Sequence, residues 1–91
     1  MADSVRPKNT PYFVYLLECA DGTFYCGSTT DLERRLDEHN TSLKGASYTR
    51  GRRPVTLRYS EICASRSDAQ KREAQLKKLT RKEKEKLLIR F

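Results

Sequence analysis

A turn signal between two apolar segments is the feature that most constrains the fold of this chain. Residues 12–19 and 23–27 flank the tripeptide Ala20-Asp21-Gly22, and this arrangement is typical of a β-hairpin. If these three residues form the loop, with Gly22 in the left-handed conformation, the length of the loop fixes the register of the whole hairpin.

The register decides whether two tyrosines can share a site. With the three-residue loop, Leu17 faces Tyr25 and Tyr15 faces Gly27, and all three large side chains lie on one face because side chains alternate along a strand. A two-residue loop, Asp21-Gly22, would place the tyrosines on opposite faces.

Capping boxes predict three helices, since in each a hydroxyl accepts from a backbone N–H while a polar side chain reaches back. The helices are expected to run to about residues 40, 79 and 90. The three boxes are Thr30-x-x-Glu33, then Ser67-x-x-Gln70 or Ser65-x-x-Asp68, and finally Thr80-x-x-Glu83.

The segment between the first two helices contains a predicted helical turn at 46–50 and a predicted strand at 54–62. In the strand, Val55, Leu57 and Tyr59 alternate with polar residues, so the three apolar side chains are expected on one face. The order of elements predicts an α/β fold, a small three-stranded antiparallel sheet flanked by helices.

The length and composition bound the class of protein. A chain of 91 residues forms one domain, which we place at 12–91 behind a loose polar arm at 1–11. No apolar run is long enough to span a membrane. Three cysteines, without a C-x-x-C motif, argue against a disulfide framework or a zinc site and fit the reducing cytoplasm.

The formal charge of +7 favours an anionic partner, most often nucleic acid. Basic residues without acidic neighbours extend from Lys44 to Arg58, which makes this stretch the better candidate for contacting phosphates. A basic scaffold for a protein partner is a weaker alternative, because no large apolar surface stripe is evident. The predicted nucleic-acid-binding residues are Lys44, Tyr48, Arg50, Arg52 and Arg53.

Arg35 and His39 lie four residues apart, so they share one face of the first predicted helix. A functional interpretation is a phosphate clamp beside a proton relay, because the planar guanidinium matches phosphate oxygens. The alternative is a surface Arg–Glu pair beside a histidine with no special role.

Glu73 shares a helical stripe with the apolar residues Ala69, Leu76 and Leu79. A carboxylate on an apolar stripe requires a partner. That partner is either a bound cation or a nearby arginine or lysine, and Lys77 is available four residues on.

These residues resemble the GIY-YIG nuclease family. The first half of its motif corresponds to Phe13-Val14-Tyr15 and the second to Tyr25-Cys26-Gly27; the next block, 30–36, contains Arg35, and the family's metal-binding glutamate corresponds to Glu73. The similarity spans about residues 12–88. It is strongest to small stand-alone bacterial members, and extends to structure-specific and excision-repair nucleases.

The resemblance implies metal-dependent hydrolysis of phosphodiester bonds in DNA, with Mg²⁺ or Mn²⁺ on Glu73. Tyr15 would help to deprotonate water while Tyr25 positions it. Arg35 would stabilise the charge on the phosphate and favour the phenolate, and His39 would relay the proton. We expect these five residues to converge on one concave surface.

Selection of DNA by structure rather than sequence is expected, with a protein partner as a further source of specificity. The alternative is a nucleic-acid-binding module that keeps the fold without turnover. Ser28 favours that alternative, because some family members have a lysine at its position.

Overall fold

The computed structural model describes residues 11–41 and 46–88. The predicted N-terminal arm therefore lies outside the described residues, except for Pro11. No helix in the described ranges is long and apolar enough to cross a membrane. The elements are β1 (Tyr12–Glu18), β2 (Phe24–Thr29), α1 (Leu32–Thr41), α2 (Ser47–Arg50), β3 (Thr56–Cys63), α3 (Arg66–Lys77) and α4 (Arg81–Leu88).

The hairpin of β1 and β2 has the three-residue loop and the register predicted from the sequence. Gly22 has φ +84°, and its amide donates to the Cys19 carbonyl over 2.9 Å. Leu17 pairs with Tyr25 and Tyr15 with Gly27. Glycine adopts the left-handed conformation without strain. Gly22 therefore permits the three-residue loop, and the register set by that loop decides which side chains share a face.

The sheet is three-stranded and antiparallel, in the order β2-β1-β3, and helices pack on both of its faces. The predicted fold class is confirmed. The central strand is buried continuously from Val14 to Leu17, because its apolar residues occupy positions facing both layers. Val14 and Leu16 pack beneath α3, whereas Tyr15 and Leu17 pack on the α1 side.

A β-bulge in β3 overturns the prediction that Leu57 and Tyr59 share a face. Leu16 pairs with Tyr59 and Leu17 with Leu57, so Arg58 is an extra residue in the ladder. An inserted residue reverses the alternation of side chains. Leu57 consequently packs on the α1 side, and Tyr59 on the α3 side.

The helix caps agree with the predicted boxes in two of three cases. At α1 the cap is Asp31 rather than Thr30: its carboxylate accepts from the Arg34 amide over 3.1 Å. At α3 the cap is Ser65, the second of the two alternatives. At α4 the box of Thr80 and Glu83 forms both of its reciprocal bonds.

Two side chains fix the C-terminal end of α1 against the start of β3. The Asn40 side chain donates to the Val55 carbonyl over 3.0 Å and accepts from the Val55 amide over 2.8 Å, so it pairs like a strand residue. Arg53 donates to the carbonyls of Glu38 and His39. These bonds satisfy carbonyls in the last turn of α1 and hold His39 in place.

Candidate active site

The centre of the site is the Tyr15 ring, which crosses the edge strand β2 at Gly27. A Cβ atom added to Gly27 would lie 2.5 Å from Tyr15 Oη and 2.7 Å from its Cζ. Only glycine leaves room for this close approach. The central strand can therefore direct a phenol toward the open edge of the sheet.

His39 is completely buried and lies between two hydroxyl groups. Its Nε2 is 3.0 Å from Tyr15 Oη, and its Nδ1 is 2.9 Å from Thr49 Oγ1. Both ring nitrogens thus have partners, as a buried imidazole requires. The short helix α2 supplies one of them, which joins the basic segment to the site.

Two more tyrosines extend the cluster toward the surface. The Tyr25 ring centroid is 5.2 Å from that of His39 and 5.9 Å from that of Tyr48. Tyr15 and Tyr25 share the α1 face, as the hairpin register predicts. Tyr48 remains 38% exposed, so the row of rings leads from the buried imidazole to solvent.

Arg35 lies beside the Tyr15 hydroxyl, within reach of a hydrogen bond. Its Nη1 donates to Glu38 Oε1 over 2.8 Å, which is the surface Arg–Glu pair that the sequence left as an alternative. Both interactions coexist, since a guanidinium has five N–H donors in a fixed plane. Arg35 thus contributes positive charge directly at the phenol.

Burial dominates the protonation states of the central pair. Burial raises the pKa of Tyr15 to about 12, although the bond from Arg35 opposes that rise. Burial, and then the charge of Arg35, lower the pKa of His39 to about 4. Arg35 thus favours the phenolate, as expected from the sequence, but burial outweighs it, so that at neutral pH the phenol is protonated and the imidazole is neutral.

Glu73 lies on α3, whose buried residues Ala69 and Leu76 pack against the other face of the sheet. Ser28, which lines the cleft beside Glu73, follows Gly27 in the edge strand over which the Tyr15 hydroxyl lies. The negative charge of Glu73 contributes, as a minor cause, to raising the pKa of Tyr15. The expected convergence of Glu73 and the tyrosines on one concave surface stays a prediction.

Glu73 lines a cleft of about 270 Å³. Its lining includes Ser28 and Gln70, and Lys77 Nζ lies 2.8 Å from Glu73 Oε2. Within the described ranges, no cluster of three or more acidic, histidine or cysteine side chains could hold a metal. The oxygens present fit a hard cation that takes one protein carboxylate and completes its shell with water and phosphate oxygens, provided that Lys77 moves aside.

The predicted phosphate-binding residues occupy different environments. Arg52 stacks over the Tyr48 ring at 4.0 Å and pairs with Asp21 over 3.0 Å. Arg53 holds the end of α1, as described above. Arg50 is exposed and makes no side-chain hydrogen bond or ion pair with any described residue. Lys44 lies outside the described residues.

Sequence reasoning missed Thr49, the buried hydroxyl that holds His39. Its signal in the sequence is weak, because a threonine in a short polar segment is ordinary. The contact arises only when α2 folds against α1, ten residues away along the chain.

Comparison with known proteins agrees with these features. Residues 11–86 match the family model of the GIY-YIG catalytic domain. A UPF0213 protein of Desulfotalea psychrophila is 58% identical over 69 residues, which cover 76% of this chain. The match spans 63% of that protein, which is less than two thirds of its length. A UPF0213 protein of Halobacterium salinarum is 54% identical over 76 residues, covering 84% of this chain and 97% of its own length.

Two solved structures resemble this one. The solution NMR structure of a UPF0213 protein from Bacillus halodurans is similar with a TM-score of 0.54 and 45% identity, over 86% of this chain and 82% of that one. A protein of E. faecalis, also solved by NMR, gives a TM-score of 0.59 and 49% identity, over 89% and 85% of the two chains.

Gly27→Ala is predicted to destabilise the protein by about 1–3 kcal/mol, because the new methyl group would overlap the buried Tyr15 ring. Gly51→Ala is the matched control: a Cβ there meets nothing within 4 Å, so that variant should be as stable as wild type or slightly more stable. Urea unfolding of both variants measures the difference, and equal midpoints would contradict the close approach.

The stability of the protein should fall as the pH decreases from about 6.5 to about 4. Between His39's ordinary pKa of 6.5 and its folded value of about 4, the unfolded chain binds more protons, so protonation favours unfolding. The loss across this window should be about 3 kcal/mol.

Urea unfolding at several pH values measures this loss, and His39→Gln is the control, because glutamine does not titrate. The chain has one histidine, so no other imidazole contributes. Parallel pH profiles for the two proteins would show that His39 titrates normally in the folded state.

Proposed function

The chain belongs to the GIY-YIG catalytic domain family, and on that premise we propose that it is a metal-dependent endonuclease that hydrolyses phosphodiester bonds in DNA. The observation that carries the proposal is the bond between Tyr15 Oη and His39 Nε2. It places a phenol, a neutral imidazole and the Arg35 guanidinium together at the edge of the sheet.

Tyr15 passes a proton in this reaction and need not carry a lasting negative charge. As a water molecule attacks phosphorus, its proton moves to Tyr15 Oη while the phenol proton moves to His39 Nε2. The P–O ester bond breaks, and the leaving oxygen takes a proton from solvent. A relay suits the high pKa of Tyr15, because a free phenolate would be rare at neutral pH.

Arg35 stabilises the transition state by its position beside the phenol. Its charge neutralises the negative charge that develops on the phosphate oxygens. The arriving phosphate also favours the protonated form of His39, which offsets part of the cost implied by that residue's low pKa. Tyr25, against the same imidazole, positions the water.

Glu73 is the residue that would hold Mg²⁺ or Mn²⁺. A bound divalent ion would stabilise the attacking and leaving oxygens. The carboxylate is half-buried in its cleft and pairs with Lys77. A bound cation would take the place of the ammonium, which would then be available to a phosphate oxygen.

Recognition by DNA structure follows from the kind of contacts that the surface offers. Exposed Arg50 and half-exposed Tyr48 would contact phosphates, sugars or unstacked bases. Contacts to phosphates carry no sequence information. Branched or nicked duplexes, as arise in DNA repair, are the proposed substrates. A protein partner in the bacterial cytoplasm is a further source of specificity.

The second candidate is a nucleic-acid-binding module without turnover. The ion pair of Lys77 and Glu73 favours it, because that pair satisfies the carboxylate without a metal. The first test is therefore a cleavage screen on branched, nicked, single-stranded and duplex DNA with Mg²⁺ or Mn²⁺. Cleavage of none of them would favour the binding module.

Glu73→Gln is predicted to abolish metal-dependent cleavage while the protein stays folded and binds DNA. Glutamine has nearly the same shape, so it removes the charge without making a cavity. DNA affinity in chelator should be equal or slightly tighter, because one negative charge is lost. A Mg²⁺ titration of the cleavage rate measures the effect, with the unfolding midpoint recorded alongside.

Glu85→Gln is the matched control for that variant. Glu85 also pairs with a basic residue four positions away, Arg81, at 3.1 Å, but it is exposed on α4. Its loss should leave the metal dependence unchanged. If Glu73→Gln cleaves like wild type at every metal concentration, Glu73 serves only as the partner of Lys77.

Arg50→Ala is predicted to weaken DNA binding and to reduce the salt dependence. If Arg50 neutralises one phosphate, the slope of log K against log salt should become less steep by about 0.9 on duplex DNA. Arg66→Ala removes the same charge from another exposed position, on α3, and should leave the slope nearly unchanged. Equal slopes for wild type and Arg50→Ala would exclude that contact.

A further inference from the structure

Buried His39 has two possible neutral tautomers, and its neighbours determine which one forms. Its Nε2 faces Tyr15 over 3.0 Å, and its Nδ1 faces Thr49 over 2.9 Å. A neutral imidazole donates from one nitrogen and accepts at the other. The tautomer therefore decides whether the Tyr15 proton points into the protein or away from it.

The hydroxyl proton of Thr49 already has an acceptor. Thr49 Oγ1 donates to the carbonyl of Ala46, the residue that precedes α2, over 2.9 Å. A hydroxyl has a single proton to donate and two lone pairs to accept with. Toward His39, Thr49 is therefore an acceptor, and the proton of that bond belongs to Nδ1.

The hydroxyl of Tyr15 leads to the same assignment. Tyr15 is only 3% exposed, and the partner on its other side, Arg35, is purely a donor. Among the described residues, the acceptor within reach of the phenol proton is His39 Nε2. If Nε2 carried the proton instead, Tyr15 would accept from both neighbours and its own buried O–H would lose its acceptor, which is costly.

We infer that Thr49 is a positioning residue: its hydroxyl holds His39 as the Nδ1–H tautomer, so that Nε2 accepts the phenol proton of Tyr15. The hydrogen bonds then run in one direction, from Tyr15 through His39 and Thr49 to the Ala46 carbonyl. The importance of this direction for catalysis rests on the proposed function. The assignment of the tautomer does not rest on that function, and the tautomer can be measured in the protein without DNA.

The direction of this row of hydrogen bonds matters, because a proton relay needs an unprotonated nitrogen that can accept the proton. When water gives a proton to Tyr15 Oη, the phenol O–H bond breaks and an N–H bond forms at Nε2. The resulting imidazolium keeps its Nδ1–H bond to Thr49. With the other tautomer, Nε2 would already be protonated and the phenol could not pass its proton inward.

The test uses ¹⁵N-histidine-labelled protein at pH 7, in which the single histidine gives one ring spectrum. Protonated and unprotonated ring nitrogens have well-separated ¹⁵N shifts, so two-bond correlations identify the tautomer directly. The wild type should show Nδ1 protonated and Nε2 unprotonated. Thr49→Val, which has a similar shape but no acceptor, leaves the Nδ1–H without a partner, so the variant should give a mixture in which the Nε2–H tautomer becomes detectable.

Thr49→Ser keeps the hydroxyl and should retain the wild-type tautomer. Cleavage by Thr49→Val should fall about 100-fold, the usual scale for losing a proton relay. Cleavage by Thr49→Ser should stay near the wild-type rate. Unfolding midpoints show whether the valine variant is folded. If it is not, the wild-type spectrum still decides the tautomer, and the serine variant tests whether the hydroxyl is sufficient to keep it.

An Nε2–H tautomer in the wild type, or an unchanged Nδ1–H tautomer in folded Thr49→Val, would overturn the inference. A wild type that has the Nδ1–H tautomer and cleaves no DNA would overturn the proposed function alone. The tautomer assignment would then stand as a property of the fold.

Discussion

The close approach of the Tyr15 ring to Gly27 is the constraint on which the rest of the site depends. A central strand normally directs its side chains perpendicular to the sheet, into the covering layer. Here the edge strand lacks a side chain at the paired position, so the ring crosses it and its hydroxyl reaches the border of the sheet. His39 can meet that hydroxyl only because α1 is fixed against the start of β3 through Asn40 and Arg53.

The same geometry bears on the proposal that groups from both layers of the sheet act on one substrate. Tyr15 Oη lies over the edge strand at Gly27, and Ser28, the next residue of that strand, lines the cleft beside Glu73. The Glu73 charge is a minor cause of the high pKa of Tyr15, although α3 packs on the opposite face.

Local signals in the sequence predicted much of the fold, because they depend on neighbouring residues only. The loop at Gly22 set the hairpin register, and Thr80 with Glu83 marked the start of α4. Three features depended on partners that the sequence does not identify. The bulge at Arg58 exists only relative to β1, Asp31 competes with Thr30 as an equally suitable cap, and Thr49 becomes important only when α2 meets α1. The placement of α3 on the opposite face likewise required the layer order.

In the isolated protein, the charges of the site satisfy one another. Arg35 pairs with Glu38, Glu73 pairs with Lys77, and the phenol donates to a neutral imidazole. In the proposed reaction, a phosphate arriving at this edge would compete for both basic residues and would release the Glu73 carboxylate for a cation. Substrate binding would then be coupled to completion of the proposed catalytic groups, since the phosphate would supply the charge that separates the resting pairs. This coupling would keep a small basic protein from hydrolysing phosphodiesters that do not fit the edge of its sheet.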